Sequence, residues 1–186
     1  GLIALQIGIE SGSSLVLQKY QKEATPEMIE DVVQICNRAG LRALEGNYII
    51  GGAMESRETL AESLAHAKRL LALGRGMVEL RTVFFAPYIG TPISTDPERF
   101  GMRLLPERVA KMVQTMQEPV VETESLSYKM LIEQKEYFDQ QLWMCYQMEA
   151  RRCRREDLLR GDWMMWENDI LNATWQRAWL GVPHLA

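Results

Sequence analysis

Three short segments combine glycine with polar or turn-forming side chains, and each follows an apolar run. They are Glu10-Ser11-Gly12-Ser13, Gly51-Gly52-Ala53-Met54-Glu55-Ser56 and Pro87-Tyr88-Ile89-Gly90-Thr91-Pro92. Glycine lets a backbone approach a ligand closely, and the carboxylates of Glu10 and Glu55 accept hydrogen bonds from hydroxyl or ammonium groups. Each segment alone suits an ordinary turn. Three of them at corresponding places in the chain predict a ligand site.

The apolar runs before these segments predict the strands of a parallel sheet. They cover residues 2–9, 41–50 and 77–86. Continuous runs rich in β-branched residues suit strands that are covered on both faces. Helical spacing recurs between the runs, so strands alternate with helices as in βαβ units. Since parallel strands end at one edge, the three segments are expected to meet there. Three such units do not close a barrel, so further strands are expected from upstream sequence or from another chain.

Local signals predict where the helices begin and end. Thr25, followed by proline, is placed to cap one helix, and Gly40 is placed as its left-handed C-terminal residue. Ser56 is placed to cap a second helix, whose apolar stripe continues to Gly74. A third helical pattern covers residues 106–116.

The character of the sequence changes near residue 118, which predicts a domain boundary between 1–117 and 118–186. Residues 119–122 read as a connector, and a long helical pattern follows over 125–160. All tryptophans lie in this second part: Trp143, Trp163, Trp166, Trp175 and Trp179. Packing is the usual role of such a cluster, and a lid or substrate wall is the functional alternative.

Composition narrows the class of protein. With 47% hydrophobic and 25% charged residues, the chain has the composition of a globular protein. No apolar run reaches the roughly 18–20 residues of a membrane span, and a cytoplasmic location is expected. The net charge of −4 does not favour nucleic acid as partner, although the cluster Arg151, Arg152, Arg154, Arg155 and Arg160 admits it. Acidic neighbours favour a solvated helix face. The three cysteines and two histidines form no metal-ligand spacing.

The segments together resemble radical S-adenosylmethionine (radical SAM) enzymes. The stretch IGIESGS resembles the fourth-strand segment of that family, GNYIIGGAMES the fifth and FFAPYIGTPI the sixth. They occur in the family's order across residues 1 to about 105. The resemblance implies a partial (β/α) TIM-like barrel of the radical SAM type, strands 4–6, followed by an α-helical C-terminal extension. It is closest to the branch often fused to a cobalamin-binding domain.

The resemblance also implies roles for residues at the barrel mouth, where S-adenosylmethionine lies in this family. Glu10 would hydrogen-bond the ribose hydroxyls and Ser11 would support that region. Gly51 and Gly52 would let backbone approach the cofactor. The segment Ala86, Pro87, Tyr88 and Ile89 would lie along the adenine.

The implied cofactors are S-adenosylmethionine, a 4Fe–4S cluster and, in some members, cobalamin. The chemistry would be a 5′-deoxyadenosyl radical used for substrate modification or cobalamin-assisted methyl transfer. The sequence departs from the family at Ala53-Met54, where a Pro-Gly pair is usual, which favours a structural role for Glu55 at the start of a helix. The CxxxCxxC motif is absent. We therefore expect a piece that is inactive alone, begins inside an apolar run, and needs the N-terminal half of the same protein; no residue here is expected to be catalytic or to bind metal.

Two alternatives remain at this stage. In the first alternative, the chain is a catalytically silent barrel remnant that binds another protein, which the loop departures and the tryptophan-rich tail allow. The other alternative, a TIM-barrel lyase or aldolase, is disfavoured because no predicted strand ends in a lysine or a metal-ligand set. The substrate, a small molecule or a macromolecule, is not specified by the sequence.

Overall fold

The computed structural model describes residues 1–110, 118–153, 174, 175 and 177–181. The strands are β1 (Ala4–Glu10), β2 (Ala43–Ile50), β3 (Val78–Phe84), β4 (Met102–Leu104) and β5 (Val121–Thr123). The helices are α1 (Ser14–Lys19), α2 (Pro26–Arg38), α3 (Arg57–Gly74), α4 (Pro92–Thr95), α5 (Pro106–Val109) and α6 (Tyr128–Ala150). A 3-10 turn covers Glu98–Phe100.

β1, β2 and β3 form a parallel sheet, as the sequence predicts, and they lie in that order. The pairing is in register from Leu44 opposite Val78 to Ile50 opposite Phe84. β1 follows β2 with a bulge between Gly8 and Glu10. All three strands therefore end at one edge of the sheet. The α/β class is confirmed, whereas a three-stranded sheet is open and the barrel stays a prediction.

The helix caps form where the sequence places them. The Thr25 side chain accepts a hydrogen bond from the Met28 amide, and Ser56 forms a capping box with Thr59. Gly40 has a φ of 73°, the left-handed conformation expected after α2. These capping signals involve only neighbouring residues, so they can be recognised in the sequence without knowledge of the fold.

One face of the sheet packs against α2, α3 and α6. Buried side chains alternate along β2, where Leu44, Tyr48 and Ile50 face the helices. The Tyr48 ring contacts the His66 ring of α3 and the Phe138 ring of α6, with centroids 6.1 and 5.6 Å apart. The core therefore lies between this face and three helices.

The opposite face of the sheet is polar. Gln6, Glu45 and Glu79 lie directly across from one another on the three strands, and the next row contains Asn47 and Arg81. Arg81 lies 3.3 Å from Glu45 and 3.5 Å from Glu79. Because parallel sheets are ordinarily covered on both faces, this face is where a ligand or further chain would lie.

The two outer edges of the sheet differ. On β3, the Tyr146 hydroxyl bonds the Leu80 amide at 2.6 Å, and the Trp175 indole donates to the Val78 carbonyl at 2.9 Å. These side chains occupy backbone groups that another strand would need. In the part of the chain that the structure describes, no strand pairs with the outer edge of β1. The sheet is thus blocked beside β3 and open beside β1.

The second half departs from its predicted form in two respects. Val121–Thr123, which overlaps the connector predicted over 119–122, pairs antiparallel with Met102–Leu104. The long helix ends at Ala150, with a turn over residues 151–153, and the remainder of its predicted range lies outside the described residues. A short β-branched segment paired by a distant strand carries too little local pattern to be recognised. The boundary at 117/118 stays a prediction.

Of the tryptophans, Trp143, Trp175 and Trp179 are described, and Trp175 is buried against the Tyr146 ring at 5.0 Å. Trp175 therefore has the packing role that is usual for buried aromatic side chains. Trp163 and Trp166 lie outside the described residues, as do three of the clustered arginines, Arg154, Arg155 and Arg160. Arg152 forms an ion pair with Glu149 at 2.8 Å.

Candidate functional site

A cavity of about 430 Å³ lies at the carboxyl edge of the sheet. Its lining residues are Tyr20, Ile49, Val83, Phe84, Phe85, Ala86, Tyr88, Thr91 and Ile93. This volume falls within the range of small-molecule sites, and the walls are predominantly apolar and aromatic. The cavity therefore has the size and lining of a site for a ligand with a flat or apolar body.

The strand ends position the floor of the cavity. Ile49 and Val83 lie opposite each other on β2 and β3, close to the carboxyl ends of these strands. The Phe85 amide continues the pairing by donating to the Ile50 carbonyl at 2.9 Å. The outer wall comes from the loop after β3, where the Thr91 side chain caps α4. Tyr20 enters from the other side because α1 ends there and Gln21 turns the chain with a φ of 54°.

Glu10 lies at the same edge and is already paired. Its carboxylate is 3.1 Å from the Lys22 ammonium, which also donates to the Gly8 carbonyl. Glu10 has a φ of 65°, an uncommon conformation for a residue other than glycine, so the bulge in β1 aims this side chain. The carboxylate is about a quarter exposed, which leaves it accessible to a ligand.

Ser11 is fully buried and faces α3. Its hydroxyl lies 3.0 Å from the Ser63 hydroxyl and accepts a hydrogen bond from the Ser13 amide at 3.1 Å. Gly12 follows because a Cβ there would lie 2.6 Å from Cβ of His66. Ser11 therefore fixes the loop after β1 against α3, and its hydroxyl is hydrogen-bonded within the protein.

Gly51 and Gly52 form a turn that closes on its own carboxylate. Both amides donate to Oε2 of Glu55, the Gly52 bond being 3.4 Å long. Gly51 has a φ of 86°, which explains why glycine stands there. Burial raises the pKa of Glu55 to about 8, against the opposing effect of the two amides. Glu55 thus has the structural role that the departure from the family pattern favoured.

The segment after β3 is divided between cavity and solvent. Ala86 and Tyr88 line the cavity, while Pro87 is buried and Ile89 is 99% exposed. Among the residues predicted for the site, Ala86 and Tyr88 therefore share one cavity. Glu10, the last residue of β1, lies at the same edge of the sheet but does not line this cavity. The positions of Ser11 and Gly51 are explained by contacts within the protein.

Sequence reasoning missed Tyr20 and the last residues of the strands as cavity walls. Tyr20 follows α1, a short helix that the sequence did not predict. The apolar residues Leu15, Val16 and Leu17 lie between polar ones, a pattern too short to show where the side chain of Tyr20 points. Ile49 and Val83 were counted only as strand residues.

The described residues contain no group of three or more histidine, cysteine, aspartate or glutamate side chains arranged to hold a metal ion. Cys36 lies on α2, and Cys145 and Cys153 lie at the end of α6. In the same part of the chain, no helix has the length and apolar character needed to cross a membrane.

The geometry defines an α/β protein with a ligand-sized cavity at the carboxyl edge of a parallel sheet. No family model matches the sequence. Over 70 residues, 38% of this chain, the sequence is 37% identical to an uncharacterized methyltransferase of Pyrococcus horikoshii. The matched segment spans 15% of the length of that relative. The chain is therefore similar, over part of its length, to a protein named as a methyltransferase.

Proposed function

We propose that this chain forms the nucleoside-binding side of a radical SAM methyltransferase. The observation that carries the proposal is the cavity of about 430 Å³ at the strand ends, lined by Ala86 and Tyr88. The similarity to a protein named as a methyltransferase supports it, since methyl transfer commonly draws on S-adenosylmethionine. The whole enzyme's substrate lies outside what these residues specify.

The residues present fit a nucleoside. Aromatic and apolar walls suit an adenine ring, and the partly exposed Glu10 carboxylate suits ribose hydroxyls, which are hydrogen-bond donors. In this proposal Ser11 acts indirectly by fixing the loop that carries Glu10, and Gly51 and Gly52 hold the backbone turn beside the cofactor. The backbone of Ala86 to Ile89 follows the adenine edge.

The cysteines of this chain do not supply the ligands of a 4Fe–4S cluster at the cavity. A 4Fe–4S cluster needs thiolates brought together, and the three cysteines of this chain lie on α2 and at the end of α6. They do not fit a cluster at the cavity. When bound, S-adenosylmethionine with such a cluster supplies the radical, and cobalamin supplies the methyl carrier in part of the family. This chain's share is to bind and orient the nucleoside and to exclude water from it.

An upstream βα unit would extend the sheet beside β1. The outer edge of β1 is unpaired among the described strands. α2 exposes Met28, Val32 and Ile35. These three positions recur at helical spacing, so they form one apolar stripe. An unpaired strand edge and an exposed apolar stripe on a helix suit one more strand and its helix.

The test of this proposal uses the complete protein, including the sequence upstream of Gly1. We expect CxxxCxxC about 100–150 residues before Glu10, absorbance from a 4Fe–4S cluster, and release of 5′-deoxyadenosine. Glu10→Gln should weaken S-adenosylmethionine binding several-fold, since one charge-assisted hydrogen bond is lost. Glu133→Gln, on the exposed surface of α6, is the matched control and should leave it unchanged. Absence of the cysteine motif would contradict the radical SAM assignment.

A second candidate is a remnant that binds another protein. The exposed stripe of Met28, Val32 and Ile35 is the observation that favours it. Cluster absorbance and 5′-deoxyadenosine production by the complete protein would eliminate this alternative. Retained partner binding with no affinity for S-adenosylmethionine would favour it.

A further inference from the structure

Tyr20 links the loop after β2 to the cavity. Its hydroxyl accepts a hydrogen bond from the Ala53 amide at 3.2 Å, and its ring packs with Ala53, Phe85 and Ile49 in a small apolar cluster. The same residue lines the cavity opposite the loop that carries Tyr88. One side chain therefore fixes a loop and forms a wall.

The glycine before Ala53 is explained by this phenol. A Cβ on Gly52 would lie 1.7 Å from the Tyr20 hydroxyl oxygen and 2.9 Å from the ring carbon that bears it. No side chain fits there unless Tyr20 leaves. Gly52 thus makes room for Tyr20, and the two positions work as a pair.

The phenol stays neutral in this setting. Burial raises the pKa of Tyr20 far above its usual value, with the Glu55 and Glu10 carboxylates adding to the effect. A neutral phenol can lie beside two acidic side chains without repulsion. The hydroxyl oxygen therefore accepts from the Ala53 amide without carrying a charge.

We infer that Tyr20 is a positioning residue of the nucleoside site. Its hydroxyl holds the loop after β2 in place, and its ring forms the wall against which a planar base packs. This inference rests on the proposed function for the choice of ligand, but the link between Tyr20 and Ala53 does not depend on it. Aromatic stacking of this kind is favourable for any flat heterocycle, and adenine is the one that the proposed cofactor supplies.

Three variants separate the ring from the hydroxyl. Tyr20→Phe keeps the ring and removes the bond to Ala53, whereas Tyr20→Leu removes both. Tyr137→Leu is the control, because Tyr137 is an exposed tyrosine on α6, in the groove between α3 and α6. Circular dichroism and the thermal midpoint establish that each variant folds. Because Tyr20→Phe is nearly isosteric, it keeps the test decisive even if the leucine variant does not fold.

The readouts are adenosine affinity, the ring-current shift of the adenine protons and amide hydrogen exchange at Ala53. We expect Tyr20→Leu to weaken adenosine binding about ten-fold and to abolish the shift. Tyr20→Phe should restore both to near the wild-type values. Exchange at Ala53 should accelerate in both Tyr20 variants and stay unchanged in Tyr137→Leu.

Each contrary result has its own meaning. Wild-type adenosine affinity and adenine shifts in Tyr20→Leu would overturn the wall, with the proposed function intact. Unchanged exchange at Ala53 in Tyr20→Phe would overturn the loop contact. A wild-type chain that binds no adenosine would overturn the proposed function and the wall together, while the exchange result would still decide the loop contact.

Discussion

The Tyr48 hydroxyl and Nδ1 of His66 lie 2.8 Å apart at the centre of the core. On its other side, Nε2 of His66 lies 3.1 Å from the Pro26 carbonyl oxygen, which can only accept. Nε2 therefore carries the ring hydrogen, and Nδ1 accepts from Tyr48. This chain of bonds ties β2, α3 and the start of α2 together. It explains how a fully buried histidine is tolerated beneath the loop that carries Glu10.

Tyr48→Phe should destabilise the fold. The substitution keeps the ring but leaves Nδ1 of His66 buried without its donor, which costs about 1–3 kcal/mol. Urea unfolding of wild type and variant measures the difference in free energy. Tyr137→Phe, which alters an exposed tyrosine, is the control and should change it by less than about 0.5 kcal/mol. Equal stability of the two variants would contradict the buried bond.

Acid should weaken the fold through His66. Burial is the main cause that lowers the pKa of His66 below 6.5. The unfolded chain then takes up a proton near pH 6.5 while the folded chain does not, so stability falls as the pH drops below that value. The shift of the His66 ring protons, followed by NMR from pH 8 to pH 4, reports the titration directly. A midpoint at or above 6.5 would contradict this prediction.

Glu79→Gln should remove a pH dependence of opposite sign. Burial raises the pKa of Glu79 to about 7, against the attraction of Arg81. Between pH 4.5 and 7 the unfolded chain loses the proton first, so the wild type becomes less stable as the pH rises. The variant should therefore match the wild type near pH 4.5 and exceed it at pH 8 by on the order of 1–3 kcal/mol. Denaturation at both pH values provides the measurement, and a variant that is less stable at pH 8 would refute it.

Ser11→Ala should lower stability and leave ligand affinity largely unchanged. The Ser11 hydroxyl is engaged by Ser63 and the Ser13 amide, so its loss leaves buried groups unpaired at a cost of about 1–3 kcal/mol. The pair of measurements is the free energy of unfolding and the affinity for S-adenosylmethionine. Wild-type stability with a large loss of affinity would mean that Ser11 touches the ligand instead.

The helix caps and the parallel strands could be predicted because their signals are short-range patterns in the sequence. Thr25, Ser56 and Gly40 act through bonds within a few residues of themselves, and the alternation of strands and helices requires a parallel sheet. The apolar stripe of α2 predicted less well which residues are buried. Met28 and Ile35 follow its spacing and are exposed, because the period gives the angle around a helix but not what lies beside it.

The site was predictable in outline and not in detail. The strand-end rule led to Ala86 and Tyr88 at the carboxyl edge. Tyr20 was missed because its place in the cavity depends on where a short helix ends and on Gly52, more than thirty positions later. Contacts between distant residues are set by tertiary packing, which one sequence does not encode as a pattern.

The central claim is that a nucleoside binds at the carboxyl edge of the sheet. The most direct measurement is a titration of the isotope-labelled chain with S-adenosylmethionine, followed by amide shifts in NMR. The account predicts saturable shifts at Ile49, Val83, Phe85 and Ala86, around the cavity. Shifts confined to the groove between α3 and α6, at Leu64 and Gln134, or no saturable shift at all, would contradict it.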